Sequence, residues 1–247
     1  MQGEHERLRR MLGELVSLLP PERLAGLIDN TVLRPAMRLE DAIKLIEETH
    51  EYGFYCAMIP PSHVRRAHPY AGDLGVRLCT VVGFPSGFQP GEAKMVELSL
   101  VSSFVEEVDL VAPLWAAVEG DYDYVRSELS EFVETARSGG VKVVKVIVEA
   151  PLVGDDALSI MVRASAEAGA DYVKTSTGVY SKGGDPATVM RLAEAAAPYR
   201  LKVKAAGGIR TGLDAILAIA AGADRVGTSS AVRVIETYKT LYKGVKR

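Results

Sequence analysis

Three lysines stand where lysine is a poor structural choice. Lys145 lies in "VKVVKVIVE", Lys174 in "YVKT" and Lys204 in "KVKAA", each within a short apolar run of strand type. An ammonium at the inner end of a buried strand must be desolvated, and Thr175, Ser176, Thr177 and Gly178, which follow Lys174, are too small to cover it. Asp109 in "EEVDLV" and Asp29 at the end of "GLID" supply acids in similar surroundings. Amines so placed can do carbonyl chemistry. An ordinary lysine, with a pKa near 10.4, is neutral in only about four parts in ten thousand at pH 7. Burial and a second nearby cation both lower that pKa and release the nucleophilic amine. Lys174 reads as a Schiff-base nucleophile, Lys204 as the neighbouring cation that tunes it, and Asp109 with Lys204 as a proton relay. The competing reading of Asp109–Lys204 is a buried salt bridge with no proton role.

The elements that must position these residues alternate. Strand runs are expected at "GLID" ending at Asp29 and at 54–59, 76–82, 104–111, 141–149, 172–175, 202–206 and 225–228. Between them, segments such as "LEDAIKLIEETHEY", "YDYVRSELSEFVETARS" and "GLDAILAIAAG" repeat apolar residues every three or four positions. Eight strand–helix units of about 27 residues predict an α/β fold with a parallel sheet closed as a (β/α)8 barrel. Residues 21–247 form that single domain, and residues 1–20 form a helical extension with an amphipathic helix over 4–18. That helix either caps the bottom of the barrel or makes a subunit contact.

An internal repeat supports this count. "AGADYVKTS" at 168–176 returns as "AGADRVGTS" at 221–229, an offset of 53 residues. The repeat aligns Lys174 with Gly227, so the fold does not itself require lysine in that slot. Side-chain alternation sends Lys145, Lys174, Lys204 and Asp109 into the barrel, with Asp29 closing the first strand, and all five converge on the mouth at the strands' carboxyl ends.

Composition narrows the partners. The chain of 247 residues carries a net charge of −3 with its bases interspersed among acids, which excludes a nucleic-acid footprint. The charged start "MQGEHERLRR" lacks the core of a signal peptide, and no run reaches membrane-spanning length, so a cytoplasmic protein is expected. Cys56 and Cys79 are expected as small buried hydrophobes in a reducing compartment. The histidines His5, His50, His63 and His68 fall in helical or loop segments and form no ligand cluster with the strand ends, so no metal or cofactor is expected. One asparagine and two glutamines in the whole chain hint at a protein made for high temperature. "AAGGIRTG" and "GTSSAV" follow the seventh and eighth strands, where barrels commonly bind phosphate at helix N-termini. Gly207, Gly208, Ser229 and Ser230 are assigned to an anion, with Gly178 as a third wall; Arg210 either pairs with that anion or makes an external salt bridge.

Taken in order, "IDNTVLRP", "VVGFPSG", "EEVDLV", "YVKTSTG" and "VKAAGGIRT" resemble the deoxyribose-phosphate aldolase family over about residues 24–236. The resemblance implies a metal-independent class I aldolase that reversibly cleaves 2-deoxy-D-ribose 5-phosphate to acetaldehyde and D-glyceraldehyde 3-phosphate. It implies a homo-oligomer, gives Lys174 the imine and Lys204 the lowering of its pKa, and has Asp109 work with Lys204 and water in proton transfer. It further places Lys145 and Asp29 near the reacting carbons and Cys56 on the pocket wall. Two positions depart from the family. Asn30 stands where members often carry His, and Val179 stands where some carry a phosphate-holding lysine, a role Lys182 is placed to take. The alternatives are another phosphosugar barrel enzyme, either an isomerase or a different class I aldolase, and a non-catalytic phosphosugar-binding barrel. The first need not array lysines on strands five to seven, and the second leaves that array unexplained.

Overall fold

The computed structural model describes residues 10 and 12–245. Eight parallel strands close into a barrel in sequential order. They are β1 (Ile28–Thr31), β2 (Cys56–Met58), β3 (Leu78–Val82), β4 (Glu107–Val111), β5 (Val143–Ile147), β6 (Tyr172–Lys174), β7 (Lys202–Ala206) and β8 (Arg225–Thr228). The leading helix α1 is described over 12–18, and its expected first turn at 4–9 lies outside the described residues. A short helix α2 (Pro21–Ala25) leads into β1. Around the barrel run α3 (Leu39–Tyr52), α4 (Pro61–Leu74), α5 (Gly91–Val101), α6 (Leu114–Glu119) and α7 (Tyr122–Ser138). The ring continues with α8 (Asp155–Glu167), α9 (Pro186–Ala196), α10 (Gly212–Ala220) and α11 (Ala231–Val245). One unit breaks the simple pattern, because β4 is followed by two helices, α6 and α7.

The local signals that end these helices are visible in the sequence. Gly53 and Gly75 close α3 and α4 in the left-handed conformation, which glycine adopts without a Cβ penalty. Thr211 caps α10 by accepting the Asp214 N–H while the Asp214 carboxylate accepts the Thr211 N–H, a reciprocal capping box. Proline starts α9 just after Asp185, which accepts the Thr188 N–H.

The main hydrophobic core lies between the sheet and the helices. Val108, Val144, Val146, Val173, Val203 and Val226 alternate to the outer face of the strands and join buried residues of α3, α7, α8 and α11. The same alternation leaves the lumen a different composition. On the β2–β3 side it holds a small apolar cluster of Cys56, Met58, Cys79 and Val81. On the remaining strands it holds charge, described below.

Three expectations need correction. Cys56 and Cys79 are not separate buried thiols; a disulfide joins them across β2 and β3, with Cα atoms 6.3 Å apart. Their strands are adjacent and both side chains enter the lumen, which brings two cysteines 23 residues apart into bonding range. Asp29 does not close its strand, since β1 continues to Thr31 and places Asp29 deeper in the barrel. The strand expected over 104–111 begins only at Glu107, because Ser102–Phe104 forms a single 3-10 turn.

The leading segment docks on its own barrel. Val16 is buried, and the Tyr238 hydroxyl of α11 donates to the Leu19 carbonyl at 2.7 Å. Leu18, 72% exposed, faces away.

The disulfide closes a loop whose cross-linking removes about 3 kcal/mol of unfolded-state freedom. Thiol titration of the unreduced protein in denaturant should therefore find no reactive thiol until a dithiol is added, and Cys79→Ala should melt at lower temperature. Two reactive thiols in the unreduced, denatured chain would refute the bond.

Candidate active site

Strand register places the lysines side by side. Lys174 on β6 is opposite Lys204 on β7, and Lys145 on β5 is opposite Asp109 on β4. All four point into the lumen and are buried. The Asp109 carboxylate is shared by three ammonium groups. Its Oδ1 accepts from Lys145 Nζ at 3.0 Å, and its Oδ2 accepts from Lys174 Nζ at 2.9 Å and from Lys204 Nζ at 2.7 Å. Asp29 Oδ2 lies 2.5 Å from Lys204 Nζ on the other side.

Two charged residues that the sequence reading passed over complete the cluster. Glu107 Oε2 is 2.5 Å from Lys145 Nζ, and Arg225 Nη1 is 2.9 Å from Asp29 Oδ1. Parity along the strands held the signal. Glu107 stands two residues from Asp109, and Arg225 two residues from Gly227, so each shares the inward face. The cluster thus contains three carboxylates and four bases. A buried group of this kind balances when one base is neutral.

Lys174 is the base of this cluster whose amine is pushed toward the neutral form. Burial pushes its amine down, the Lys204 and Lys145 cations add to the push, and Asp109 opposes it, leaving a pKa of about 8. Burial is the largest effect, and repulsion by Lys204 is smaller than both burial and the opposing pull of Asp109. At pH 7 a pKa of about 8 leaves roughly a tenth of the amine neutral. Lys145 goes the other way. Burial disfavours its charge, but Asp109, Asp29 and Glu107 outweigh that and raise its pKa. Asp109 is likewise held well below the usual carboxylate range, because its three lysines overcome desolvation.

Only Lys174 of this cluster opens to space. It forms part of the floor of a cavity of about 910 Å³ at the carboxyl ends of the strands. Lys145 and Asp29, expected near the reacting carbons, do not line that cavity; they lie beneath it, behind Asp109 and Lys204. Cys56 does not line it either, being fully buried in its disulfide on the opposite side of the lumen. Gly227 explains its own place in the repeat. A β-carbon there would lie 2.9 Å from Lys204 Cε, so the slot that holds lysine on β6 must be empty on β8 for Lys204 to pass.

The upper wall gathers the proposed anion residues. Gly178, Gly207, Gly208, Ser229 and Ser230 all line the cavity, and α11 begins just beyond Ser230. Gly207 has φ 92°, and a β-carbon on it would lie 2.7 Å from Ser176 Oγ, so the loops after β6 and β7 meet only because this residue is glycine. The Ser230 N–H already donates to Thr228 Oγ1 at 3.0 Å, which leaves its hydroxyl for a ligand. Arg210 and Val179 reach the same wall, and the stem of Lys182 packs over Gly208. Arg34, Lys44 and Arg233, which the sequence reading did not single out, line the outer part. Asn30 ties β1 to α3, its amide donating to Thr49 Oγ1 at 3.4 Å.

Among the described residues, the one grouping of potential metal donors is Cys56, Cys79 and Glu107. Its sulfurs are bonded to each other and its carboxylate is paired with Lys145. His50, His63 and His68 lie on α3 and α4.

Comparison with known proteins gives a consistent result. No family model matches the chain. The deoxyribose-phosphate aldolase of Aeropyrum pernix is 50% identical over 222 residues, covering 90% of this chain and 92% of that protein. The deoxyribose-phosphate aldolase of Caldanaerobacter subterraneus subsp. tengcongensis is 40% identical over 217 residues, covering 87% and 94%. A solved structure described as a unique tetrameric structure of the Aeropyrum pernix enzyme superposes with a TM-score of 0.88 at 48% identity, covering 94% of this chain and 98% of that one.

The lowered amine is directly observable. After reductive methylation with ¹³C-formaldehyde, one lysine resonance should titrate with a midpoint near pH 8 and disappear in Lys174→Arg. A midpoint near 10 for that resonance would show that burial and the two cations do not depress it.

Proposed function

The chain belongs to the deoxyribose-phosphate aldolase family, and from that membership we propose how its own residues carry the reaction. The enzyme is a lyase that reversibly cleaves 2-deoxy-D-ribose 5-phosphate to acetaldehyde and D-glyceraldehyde 3-phosphate through a Schiff base. The observation that carries the residue assignment is Lys174, an amine with pKa about 8 that alone of its cluster reaches the cavity.

In the cleavage direction, neutral Lys174 adds to the aldehyde of the open-chain sugar and loses water to form an iminium. The iminium accepts the electron pair of the bond between the second and third carbons as that bond breaks. A base takes the proton of the 3-hydroxyl, and D-glyceraldehyde 3-phosphate leaves. Protonation of the remaining enamine and hydrolysis of its iminium then release acetaldehyde and restore the amine. We assign the proton transfers to Asp109 with Lys204, acting directly or through one water. The two share a 2.7 Å hydrogen bond, Lys204 stands directly opposite Lys174 in register, and Asp109 also accepts from Lys174 at 2.9 Å. Lys145 serves behind them as a fixed cation that keeps Asp109 ionised.

The phosphate end is assigned to Gly178, Gly207, Gly208, Ser229 and Ser230, with Lys182 and Arg210 as the nearby cations and Val179 contributing none. Buried Glu149 supports this wall from below. Held at φ 43°, it accepts from the Thr177 N–H at 2.9 Å and from the Ser181 hydroxyl, tying the loop after β6 to the end of β5. A non-glycine residue kept in a left-handed backbone conformation needs such compensation.

The Aeropyrum pernix enzyme is described as tetrameric, and we propose that this chain too is a homo-oligomer. No helix among the described residues is long and apolar enough to cross a membrane. A cytoplasmic site fits phosphorylated substrates, with the disulfide buried away from reductants.

Borohydride reduction in the presence of 2-deoxyribose 5-phosphate, followed by peptide mass analysis, should leave a stable adduct on Lys174, and Lys174→Ala should lose turnover while melting cooperatively. An adduct on Lys204 or Lys145 would keep the chemistry and move its address; no adduct despite binding would favour an isomerase or a binding barrel. Glu149→Ala should raise KM for the phosphosugar several-fold with a smaller effect on kcat, and an unchanged KM would remove Glu149 from the phosphate wall.

A further inference from the structure

We propose that Arg225 is a positioning residue of this centre: its guanidinium anchors Asp29, and Asp29 in turn holds the Lys204 ammonium against Asp109 and beside Lys174. The inference rests on the reading of Lys174 as the imine-forming amine.

Arg225 does not line the cavity, so it acts through others. Its own place is fixed from several elements. The guanidinium carbon lies 3.3 Å from the centroid of the Tyr55 ring, just before β2. Nη2 is 3.3 Å from the Tyr172 hydroxyl on β6, and Nη1 is 3.7 Å from Glu107 Oε2 on β4. From that seat Nη1 donates to Asp29 Oδ1 at 2.9 Å, which turns Oδ2 toward Lys204 at 2.5 Å. A planar guanidinium stacked on a ring and donating in fixed directions can hold a carboxylate in one orientation, as a flexible ammonium cannot. The repeat makes the same point from the sequence. Arg225 stands where the earlier copy has Tyr172, so the strand position does not demand arginine, and the two residues touch across the lumen.

The groups facing Lys174 are Asp109, Lys145 and Lys204, and those facing Arg225 are Asp29, Glu107, Tyr55 and Tyr172. Without the Arg225 cation, Asp29 is less neutralised and its negative charge favours the ammonium form of Lys174. Lys204, no longer held by an oriented Asp29, also repels that ammonium less. Both effects raise the pKa of Lys174, so the acid limb of kcat/KM moves to higher pH. A purely structural loss lowers the rate alike at every pH.

Borohydride trapping of the wild-type protein with acetaldehyde comes first, because absence of a Lys174 adduct removes the functional reading itself and leaves Arg225 out of question. Given that adduct, kcat/KM is measured against pH for Arg225→Met, with Arg225→Gln as the neutral replacement if the methionine variant does not fold, and for Arg225→Lys. The neutral variant should lose about tenfold at pH 7, with its acid limb shifted up by about one unit and much of the rate recovered at high pH. Arg225→Lys should keep the limb near its wild-type position while kcat falls several-fold and KM changes little. A folded neutral variant with an unshifted limb, or a lysine variant with wild-type kcat, overturns the proposal.

Discussion

One carboxylate shared by three ammonium groups organises this molecule. Asp109 meets Lys145, Lys174 and Lys204, which lie 36, 65 and 95 residues further along the chain. Isolated in a dry interior, any one of these ions would be strongly destabilising. Together they are tolerable because both oxygens of Asp109 accept hydrogen bonds and because Asp29, Glu107 and Arg225 extend the network. The arrangement leaves one base in excess, and the excess falls on Lys174, the member that meets the cavity. The reactivity of that amine therefore belongs to the whole cluster.

A closed barrel makes such a cluster affordable. Its hydrophobic core is outside the sheet, where valines of the strands pack against the helix ring. The lumen is released from that task and can be given to charge, apart from the β2–β3 side, where the disulfide and its apolar neighbours fill the space. Lys174 takes no part in the packing between strands and helices, so the charged centre and the hydrophobic core are separate parts of the molecule.

The two ends of the cavity use different physics. At its floor, burial and the neighbouring cations lower the pKa of the Lys174 amine. At its wall, glycines in left-handed conformations bring the loops after β6 and β7 together, and Ser229 and Ser230 line the same cavity. Glu149 links the two ends, since it sits at the close of β5 and grips the loop that begins just after Lys174.

Much of this was legible in the amino-acid order. Alternating periodicities set the eight units, and the repeat at 168–176 and 221–229 marked Lys174 as dispensable to the fold. The inward parity of Lys145, Lys174, Lys204 and Asp109, and the loops bearing Gly207 and Ser229, followed from local pattern, because side-chain direction along a strand depends only on its neighbours in sequence. Depth and pairing were not legible. That Asp29 and Lys145 lie beneath the cavity, that Arg225 turns Asp29, and that Cys56 finds Cys79 all depend on how far each strand is staggered against the next. Stagger is set by closure of the entire barrel, through hydrogen bonds between segments distant in sequence, and no local stretch of residues encodes it.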